Sequence, residues 1–259
     1  PNYRAPTEED KEAMRNSSMY AAMQTTDVWK NSTVEDREEM QDMLLDYSFL
    51  FTTRFAAGTV DKNLIQYDIE LVRNEVIRCR QYPLTLQART EISKWIREML
   101  ANGFIEPSNS AFRSPLLVVA KLTSDGKIKG WRTVFDARRV NAATREYPGN
   151  PPPSTSQIFS DLSGGLLFST TDFKAGFYNV QLTGRAKQYT AFADPTDGRL
   201  FHFTRMAMGL IGAPATFAAL GSIVFHDLIS LCMQIYVDDL IIYTTKKKLP
   251  KAQSDKMTA

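Results

Sequence analysis

The spacing of apolar residues predicts two helices in the first part of the chain. One runs from Thr33 to Leu45, with Ser32 or Thr33 as its cap and acidic residues in its first turn. In the other, Thr85 to Leu100, apolar side chains recur at helical spacing, and Asn102-Gly103 supply a left-handed stop. Little other structure can be predicted from the first 60 residues.

After residue 103 the pattern changes to short apolar runs, which are typical of strands. Leu116 to Leu122 and Thr133 to Phe135 are predicted to form a hairpin with its turn around Ser124-Asp125-Gly126. A proline-rich break from Gly149 to Ser156 follows, and then a short amphipathic helix that ends at Gly164-Gly165.

The last hundred residues predict strands around a single long helix. Leu166 to Asp172 has the pattern of a buried strand, and Ala175 to Tyr178 that of a tight transition. The other predicted elements are a hairpin of Tyr189 to Phe192 with Arg199 to Arg205, a helix from Pro214 to Ser230, and a hairpin of Met233 to Val237 with Leu240 to Thr244 that carries Asp238-Asp239 at its bend.

Composition narrows the class of protein. Of the 259 residues, 43% are apolar and 23% are charged, as in an ordinary soluble globular protein. The sequence has no apolar run near the roughly 20 residues of a bilayer span and no signal peptide, so we expect an intracellular protein that is neither secreted nor bound to a membrane. Cys79 and Cys232 lack zinc-ligand or redox spacing. The start at Pro1 suggests a piece of a longer protein.

Basic side chains are concentrated in the middle of the chain. Residues 113–145 contain 8 basic and 2 acidic side chains. This density suits a polyphosphate or nucleic-acid partner, although a charged surface without a partner is the alternative interpretation.

Three aspartates are candidates for a metal site. Asp238 and Asp239 are adjacent at the bend of an apolar hairpin, where two like charges about 4 Å apart repel by roughly 4 kcal/mol at an effective dielectric near 20. Asp172 ends another predicted strand. If the two strands are neighbours, three hard oxygen donors converge, which suits Mg²⁺.

The segment from Tyr67 to Thr245 resembles the reverse transcriptases of Ty3/gypsy-type retrotransposons and retroviruses. Five motifs occur in the family's order: LQARTEISKWIREMLANGFIEPSNSAFRSP, WRTVFDARRVN, LSGGLLFSTTDFKAGFYNVQL, MAMGLIGAPATF and YVDD. The resemblance implies an α+β fold with right-hand polymerase fingers and palm, an antiparallel palm sheet, and helices packed on one face. The chain stops soon after YVDD, so we expect the thumb to be absent.

The resemblance also implies the roles of individual residues. Asp172, Asp238 and Asp239 match the catalytic, metal-binding carboxylates, with the backbone carbonyl of Phe173 as a further ligand. Two Mg²⁺ ions are implied, and Mn²⁺ is an alternative. The implied nucleotide-binding residues are Lys121, Arg132, Ala175, Gly176, Phe177, Met208 and Gly209. Those implied to contact nucleic acid are Arg138, Asn141, Pro214 and Tyr236.

Some of these roles leave alternatives open. Phe177 matches a steric gate that excludes the ribose 2′-hydroxyl, or it belongs to the core. Lys121, Lys127 and Lys129 compete as the lysine that contacts the triphosphate, and we favour Lys121. His202 and His226 are expected to be structural.

The predicted organisation has three parts: an acidic, partly helical leader at 1–66, fingers and palm at 67–245, and a basic, disordered tail at 246–259. The fingers are expected at about 85–165 and the palm at about 166–245. The predicted function is RNA-directed DNA polymerase, with primed RNA or DNA template and dNTPs as partners. A second polymerase subunit or further polyprotein domains are also possible partners. The expected location is a cytoplasmic retroelement particle or the nucleus.

The alternative function is a catalytically incompetent remnant that only binds nucleic acid or a protein through its basic fingers. All three aspartates are retained, which favours the polymerase.

Overall fold

The computed structural model describes residues 5–17, 20–21, 33–50, 60–73, 75–145, 154–173, 175–229, 231–236 and 238–245. The chain divides into two compact units, residues 1–55 and 56–259. The predicted proline-rich break falls mostly outside the described residues, and the predicted tail lies entirely outside them.

The first unit is built from two capped helices, α1 (Glu8–Arg15) and α2 (Val34–Asp46), with a short 3₁₀ turn at Ser48–Leu50. In α2, Thr33 Oγ1 accepts a hydrogen bond from the Asp36 N–H, and the Asp36 carboxylate accepts one from the Thr33 N–H. This reciprocal pair satisfies two backbone donors that a helix start leaves free. The predicted helix from Thr33 to Leu45 is confirmed.

The second unit contains the rest of the described elements. Its helices are α3 (Leu86–Ala101), α4 (Arg138–Ala143), α5 (Thr155–Leu162), α6 (Gly184–Lys187) and α7 (Ala213–Val224). Its strands are β1 (Gln66–Tyr67), β2 (Ile105–Pro107), β3 (Leu116–Leu122), β4 (Ile128–Phe135), β5 (Gly165–Asp172), β6 (Gln181–Leu182), β7 (Phe192–Ala193), β8 (Leu200–Phe203), β9 (Met233–Tyr236) and β10 (Asp239–Thr245).

Most of these strands belong to antiparallel ladders. Two three-stranded sheets have the orders β5-β10-β9 and β2-β8-β7, and β3 pairs with β4 as a hairpin. The short strands β1 and β6 pair in parallel. This mixture of helices and mainly antiparallel sheets confirms the predicted α+β class.

Helix α3 begins and ends as its sequence predicts. Thr85 Oγ1 accepts a hydrogen bond from the Ala88 N–H, and Gly103 has φ = +72°. The Phe104 N–H reaches back to the Met99 carbonyl, which closes the helix with the hydrogen bond of a Schellman motif. Its buried side chains include Met99, so one face of this helix packs in the core.

The main core lies where α3 meets the β2-β8-β7 sheet. Trp95 of α3 lies 5.8 Å from Phe192 and 6.1 Å from Phe203, measured between ring centroids. Phe135, at the end of β4, lies 5.4 Å from Phe203 with nearly perpendicular rings. Such edge-to-face pairs add to the free energy of burying aromatic surface. The hairpin β3–β4 is therefore anchored at its base.

The prediction that Leu166 to Asp172 is a buried strand is wrong in one respect. The strand forms, as β5, but its apolar side chains are exposed: Leu166 by 60%, Leu167 by 71% and Phe168 by 53%. Strand β5 lies at the edge of its sheet, and among the described residues none of these three side chains packs against a buried core cluster.

Other predicted boundaries also differ from the structure. Helix α7 ends at Val224 and not at Ser230, because the chain turns at Phe225, whose N–H closes the helix on Gly221. Tyr189 lies in a 3₁₀ turn, so the second hairpin is only β7 with β8. Among the described helices, none is long and apolar enough to cross a membrane.

Candidate functional site

Two of the three predicted metal-binding aspartates are direct neighbours across the β5–β10 ladder. Asp239, the first residue of β10, is paired in register with Asp172, the last residue of β5. Cβ atoms of such cross-strand pairs lie about 4.5–5.5 Å apart. Asp238 precedes Asp239 in the turn from β9, and Asp239 is also opposite Tyr236. The fold therefore brings the three aspartates to one end of one sheet.

A small cluster of apolar side chains packs around the strands that carry these aspartates. Met233, Ile235 and Leu240 are buried on the two hairpin strands, and Phe173 and Phe225 pack against them. Asp172 and Asp239 are exposed, and none of the three aspartates has an ion-pair partner among the described residues. Uncompensated like charges this close favour a bound cation.

The three carboxylates form an open site and not an enclosed one. Within the described parts of the chain, no group of three or more histidine, cysteine or acidic side chains, the three aspartates included, is placed so that it could hold a metal ion by itself. Mg²⁺ commonly binds to one or two carboxylates while water and substrate phosphates complete its shell. Exposed Asp172 and Asp239, with half-buried Asp238, fit that mode of binding and do not fit a closed structural metal site.

The turn after Asp172 has an unusual backbone. Ala175 has φ = +54°, the only described non-glycine residue in the left-handed region. Its carbonyl accepts a hydrogen bond from the Tyr178 N–H, and the Gly176 N–H donates to the Phe173 carbonyl at 3.3 Å. That carbonyl keeps a second lone pair for a further partner. A backbone of this kind is often found at functional turns.

Gly176 is required by packing. A Cβ atom at this position would lie 2.7 Å from Phe217 Cζ and 2.9 Å from Phe173 Cβ. Phe177 is half-buried, with its ring 5.3 Å from that of Phe217. Burial raises the pKa of Tyr178 to about 12, so its hydroxyl stays protonated. Helix α7 therefore fixes the turn beside Asp172.

The hairpin β3–β4 presents Arg132 toward the start of α7. The Arg132 Nη2 donates to the Met208 Sδ at 2.7 Å. Lys121 is opposite Gly130 in the ladder, and Gly130 and Arg132 lie on the same face because side chains alternate along a strand. Lys129 lies where the register shifts between Lys121 and Leu122, so alternation does not assign it to a face, and Lys127 pairs with Asp125 at 3.2 Å. Lys121 is therefore the lysine whose register places it on the same face as Arg132.

Asn141 fixes the loop that leads into α7. Its Nδ2 donates to the Gly209 carbonyl at 2.7 Å, and its Oδ1 accepts from the Ile211 N–H at 3.0 Å. Gly209 has φ = +94°, which favours glycine at this position. Pro214 is exposed in the first turn of α7, where a missing N–H is tolerated. Asn141 thus has a structural role that sequence reasoning missed.

Arg138 is tied to its own hairpin. Its Nε and Nη2 donate to the two oxygens of Asp136 at 2.9 and 2.8 Å, and the Tyr82 hydroxyl donates to the same carboxylate at 2.9 Å. Arg138 beside it lowers the pKa of Asp136 to about 2. These bonds anchor Asp136 at the end of its hairpin, and Tyr82 joins them from a distant part of the chain.

The pattern of the protein family described as "Reverse transcriptase (RNA-dependent DNA polymerase)" matches residues 120–257, which is more than half of the 259 residues. The chain belongs to the reverse transcriptase family. The match includes Asp172, Asp238, Asp239 and the hairpin residue Arg132, and it confirms the resemblance drawn from the motifs.

The sequence relatives of this reverse transcriptase chain include transposon polyproteins. It is 32% identical over 184 residues to the retrovirus-related Pol polyprotein from transposon 297 of Drosophila melanogaster, covering 71% of this chain and 17% of the relative. It is 28% identical over 210 residues to the corresponding polyprotein from transposon gypsy, covering 80% and 20%. The chain therefore spans about a fifth or less of these relatives.

Solved structures confirm the fold. The prototype foamy virus protease-reverse transcriptase (CSH mutant) matches with a TM-score of 0.71 and 22% identity, over 96% of this chain and 31% of that chain. The foamy viral enzyme in complex with an RNA/DNA hybrid matches with a TM-score of 0.69 and 21% identity, over 99% and 31%. At this identity the likeness concerns the fold alone, and it agrees with the predicted fingers and palm.

Sequence reasoning also missed a polar network around His202. Its ring nitrogens lie 2.8 Å from Ser108 Oγ and 2.9 Å from Glu106 Oε1, and Lys187 Nζ donates to the same glutamate oxygen at 2.8 Å. These groups join β2, β8 and α6 at the edge of the core. A lone histidine in the sequence gives no indication of such partners.

Proposed function

We propose that the chain carries the polymerase core of a retroelement reverse transcriptase and adds dNTPs to the 3′ end of a primer on an RNA or DNA template. The observation that carries this proposal is the pairing of Asp172 with Asp239 at the end of the β5-β10-β9 sheet, with Asp238 in the adjoining turn. A purely structural turn would gain nothing from three unpaired carboxylates.

Divalent metal ions fit this donor set, and reverse transcriptases generally use them. Asp172, Asp238 and Asp239 would hold Mg²⁺, or Mn²⁺ as an alternative, with the Phe173 carbonyl as a further ligand. Two such ions, when bound, activate an attacking hydroxyl and neutralise charge on a leaving pyrophosphate. Hard oxygen donors are the ligands that both metals prefer.

The protein's own groups would bind and orient the incoming nucleotide. Arg132 and Lys121 share one face of the β3–β4 hairpin, where their charges can meet a triphosphate. The Ala175 N–H has no hydrogen bond among the described residues and can donate to a phosphate oxygen. We propose Phe177 as the steric gate under the sugar, because its ring is held from behind by Phe217.

Template and primer contacts are proposed for the loop around Gly209 and for three exposed side chains. Gly209 offers exposed backbone beside Met208, and Asn141 holds that loop in place. Arg138, Pro214 and Tyr236 are exposed and could contact nucleic acid. The RNA/DNA hybrid and the double-stranded DNA bound by the foamy viral enzyme support this class of partner.

The test is primer extension on an RNA template with Mg²⁺ and dNTPs. We expect the chain to extend the primer and the Asp238→Asn, Asp239→Asn variant to lose extension by several orders of magnitude. The matched control is Asp197→Asn, Asp227→Asn, which removes the same charge from exposed turns elsewhere. Extension that survives in the first variant, or the absence of product from the unmodified chain, would overturn the proposal.

A further inference from the structure

A buried polar side chain lies on the strand that leads to the aspartates. Gln234, in β9, is only 3% exposed, and its neighbours Met233 and Ile235 are apolar core residues. Burying an amide costs free energy unless its polar atoms find hydrogen-bond partners. The proposed reaction uses no group of this glutamine, so its burial in an apolar hairpin must have another reason.

The partner of Gln234 is Asp161 on α5, 73 residues earlier in the chain. The Gln234 Nε2 donates to Asp161 Oδ2 at 3.0 Å. The Gln157 Nε2, one turn earlier in α5, donates to Asp161 Oδ1 at 3.0 Å. Two amides therefore occupy the two oxygens of one carboxylate, which fixes its orientation toward β9.

Tyr243 of β10 lies beside the same glutamine. Burial raises the pKa of the Tyr243 hydroxyl, which stays protonated within reach of the Gln234 side chain. The Tyr243 N–H donates to the Cys232 carbonyl at 2.8 Å, so the pairing of β9 with β10 continues past Gln234. The glutamine side chain therefore links α5 to both strands of the hairpin.

Gln234 shares a face of the sheet with two of the aspartates. It lies two residues before Tyr236 in β9, and Asp239 is paired in register with Tyr236 and with Asp172. Because side chains alternate along a strand and directly paired residues lie on the same face, these four side chains project from one side of the sheet. The bond to Asp161 is therefore made on the side of the candidate metal site.

The apolar cluster fixes the opposite face of the hairpin. Met233 and Ile235 alternate with Gln234 along β9, and Phe225 packs against them. Strand β9 lies at the edge of its sheet and pairs within it with β10 alone. The bond from Gln234 to Asp161 thus attaches an edge strand to a separate element, α5, on the face that the apolar cluster leaves open.

A polar pair in this position contributes direction more than stability. Replacing both partners of a buried polar pair by apolar residues of similar shape is often nearly neutral for stability, whereas a hydrogen bond fixes a distance and an angle. Tyr236 lies about 7 Å beyond Gln234 along the strand, at a rise of about 3.3 Å per residue. A shift of β9 at Gln234 is therefore carried directly to the turn that holds Asp238.

We propose that Asp161 and Gln234 are positioning residues that set the height and tilt of Asp238 and Asp239 at the metal site. This inference rests on the proposed function, because it needs metal ions at those aspartates. Neither residue has to touch the metal or the nucleotide, since Asp161 acts through Gln234 and Gln234 acts through β9.

The first measurement is Mn²⁺ binding by the 259-residue chain, followed by electron paramagnetic resonance of the free ion. Gln234→Met keeps the side-chain length but removes the hydrogen bond, and we expect it to weaken Mn²⁺ binding about fivefold, the effect of one lost hydrogen bond. Asp161→Leu should have the same effect. Asp161→Asn keeps an oxygen that accepts from Gln234, and it should bind Mn²⁺ as the unmodified chain does.

Primer extension separates positioning from nucleotide binding. Gln234→Met and Asp161→Leu should each lower kcat about tenfold through misplacement of the aspartates. The KM for dNTP should change less than about twofold, because Arg132 and Lys121 lie on another hairpin. In the double variant Asp161→Leu, Gln234→Met the two losses should not add, since each residue acts through the other.

The matched control is Ser93→Ala, which removes the hydrogen bond that Ser93 Oγ donates to Asp194 Oδ1 at 3.0 Å, between α3 and the loop after β7. It should lower the midpoint of urea denaturation and leave Mn²⁺ binding and kcat unchanged. Unchanged Mn²⁺ binding in Gln234→Met and Asp161→Leu, or an equal loss in Ser93→Ala, would assign the Asp161–Gln234 pair to stability alone and overturn the inference.

Mn²⁺ binding that survives Asp238→Asn, Asp239→Asn would also overturn the inference, because the ion would then be bound elsewhere. The titration needs neither primer nor dNTP. A chain that binds Mn²⁺ with the expected order of variants but extends no primer would contradict the proposed function and leave the positioning of the aspartates supported, so the two proposals can fail separately.

Discussion

Phe217 packs its ring against the backbone of Gly176, four residues after the aspartate that ends β5. A Cβ atom at Gly176 would approach Phe217 Cζ to 2.7 Å, which real Cβ atoms do not tolerate. The same ring lies 5.5 Å from Phe173 and 5.3 Å from Phe177. The Phe217 ring and the absence of a side chain at Gly176 therefore set the position of the Asp172 turn relative to α7.

Gly176→Ala should destabilise the fold and disturb the site together. Overpacking of a closed core costs about 1–3 kcal/mol, and the backbone can give way only by moving the Asp172 turn. Urea denaturation would measure the loss of stability, and primer extension the loss of activity. Gly184→Ala is the control, because a Cβ atom there meets no atom within 4 Å. Equal stability of the two variants would show that Phe217 moves aside freely.

The pairing register of strands β3 and β4 predicts different effects for two lysines of this hairpin. Lys121→Ala should raise the KM for dNTP about tenfold, since a charge-assisted hydrogen bond to phosphate contributes about 1.5 kcal/mol. Lys129→Ala, at the irregularity of the ladder, should change it less than twofold. Steady-state incorporation of a single nucleotide would measure both. The reverse order would mean that Lys129 is the lysine that contacts the triphosphate.

Met208 is predicted to position Arg132. Met208→Leu keeps the side-chain size but removes the sulfur that accepts from the Arg132 Nη2. The arginine then loses a partner worth about 0.5–1 kcal/mol, so the KM for dNTP should rise about two- to fivefold with little change in kcat. Met208→Gln offers an amide oxygen instead and should behave like the unmodified chain. An unchanged KM in Met208→Leu would assign the sulfur to packing alone.

The elements that could be predicted from the sequence are those whose ends are fixed by local chemistry. Thr33 and Thr85 accept hydrogen bonds from the first turns of their helices, and Gly103 adopts the left-handed conformation that ends α3. These contacts span a few residues, so the helices begin and end within about one residue of the prediction. Likewise β3 has the predicted bounds.

The contacts that assemble the site join distant parts of the chain and have no local pattern. Asn141 meets Gly209 across 68 residues, and Gln81 pairs with Leu116 across 35. The exposure of β5 was missed for the same reason, because an apolar run does not show whether anything covers it. The three aspartates could be predicted together only because the family motifs carry that long-range information.

Lowering the pH should reduce the folding stability of the chain through the protonation of Asp136. Its pKa of about 2 lies below the ordinary value of 3.8 because Arg138 donates to it, and its side chain is only 6% exposed. A carboxyl group with a lowered folded-state pKa stabilises the fold above the unfolded pKa and loses that contribution as pH falls from about 4 to 2. Asp136→Asn should therefore cost about 2 kcal/mol at pH 7, and the difference from the unmodified chain should shrink below pH 4. Urea denaturation at pH 7, 5 and 3 would measure it, with the exposed Glu98→Gln as control. A difference that stays constant over this range would assign the cost to lost hydrogen-bond geometry and not to the charge of Asp136.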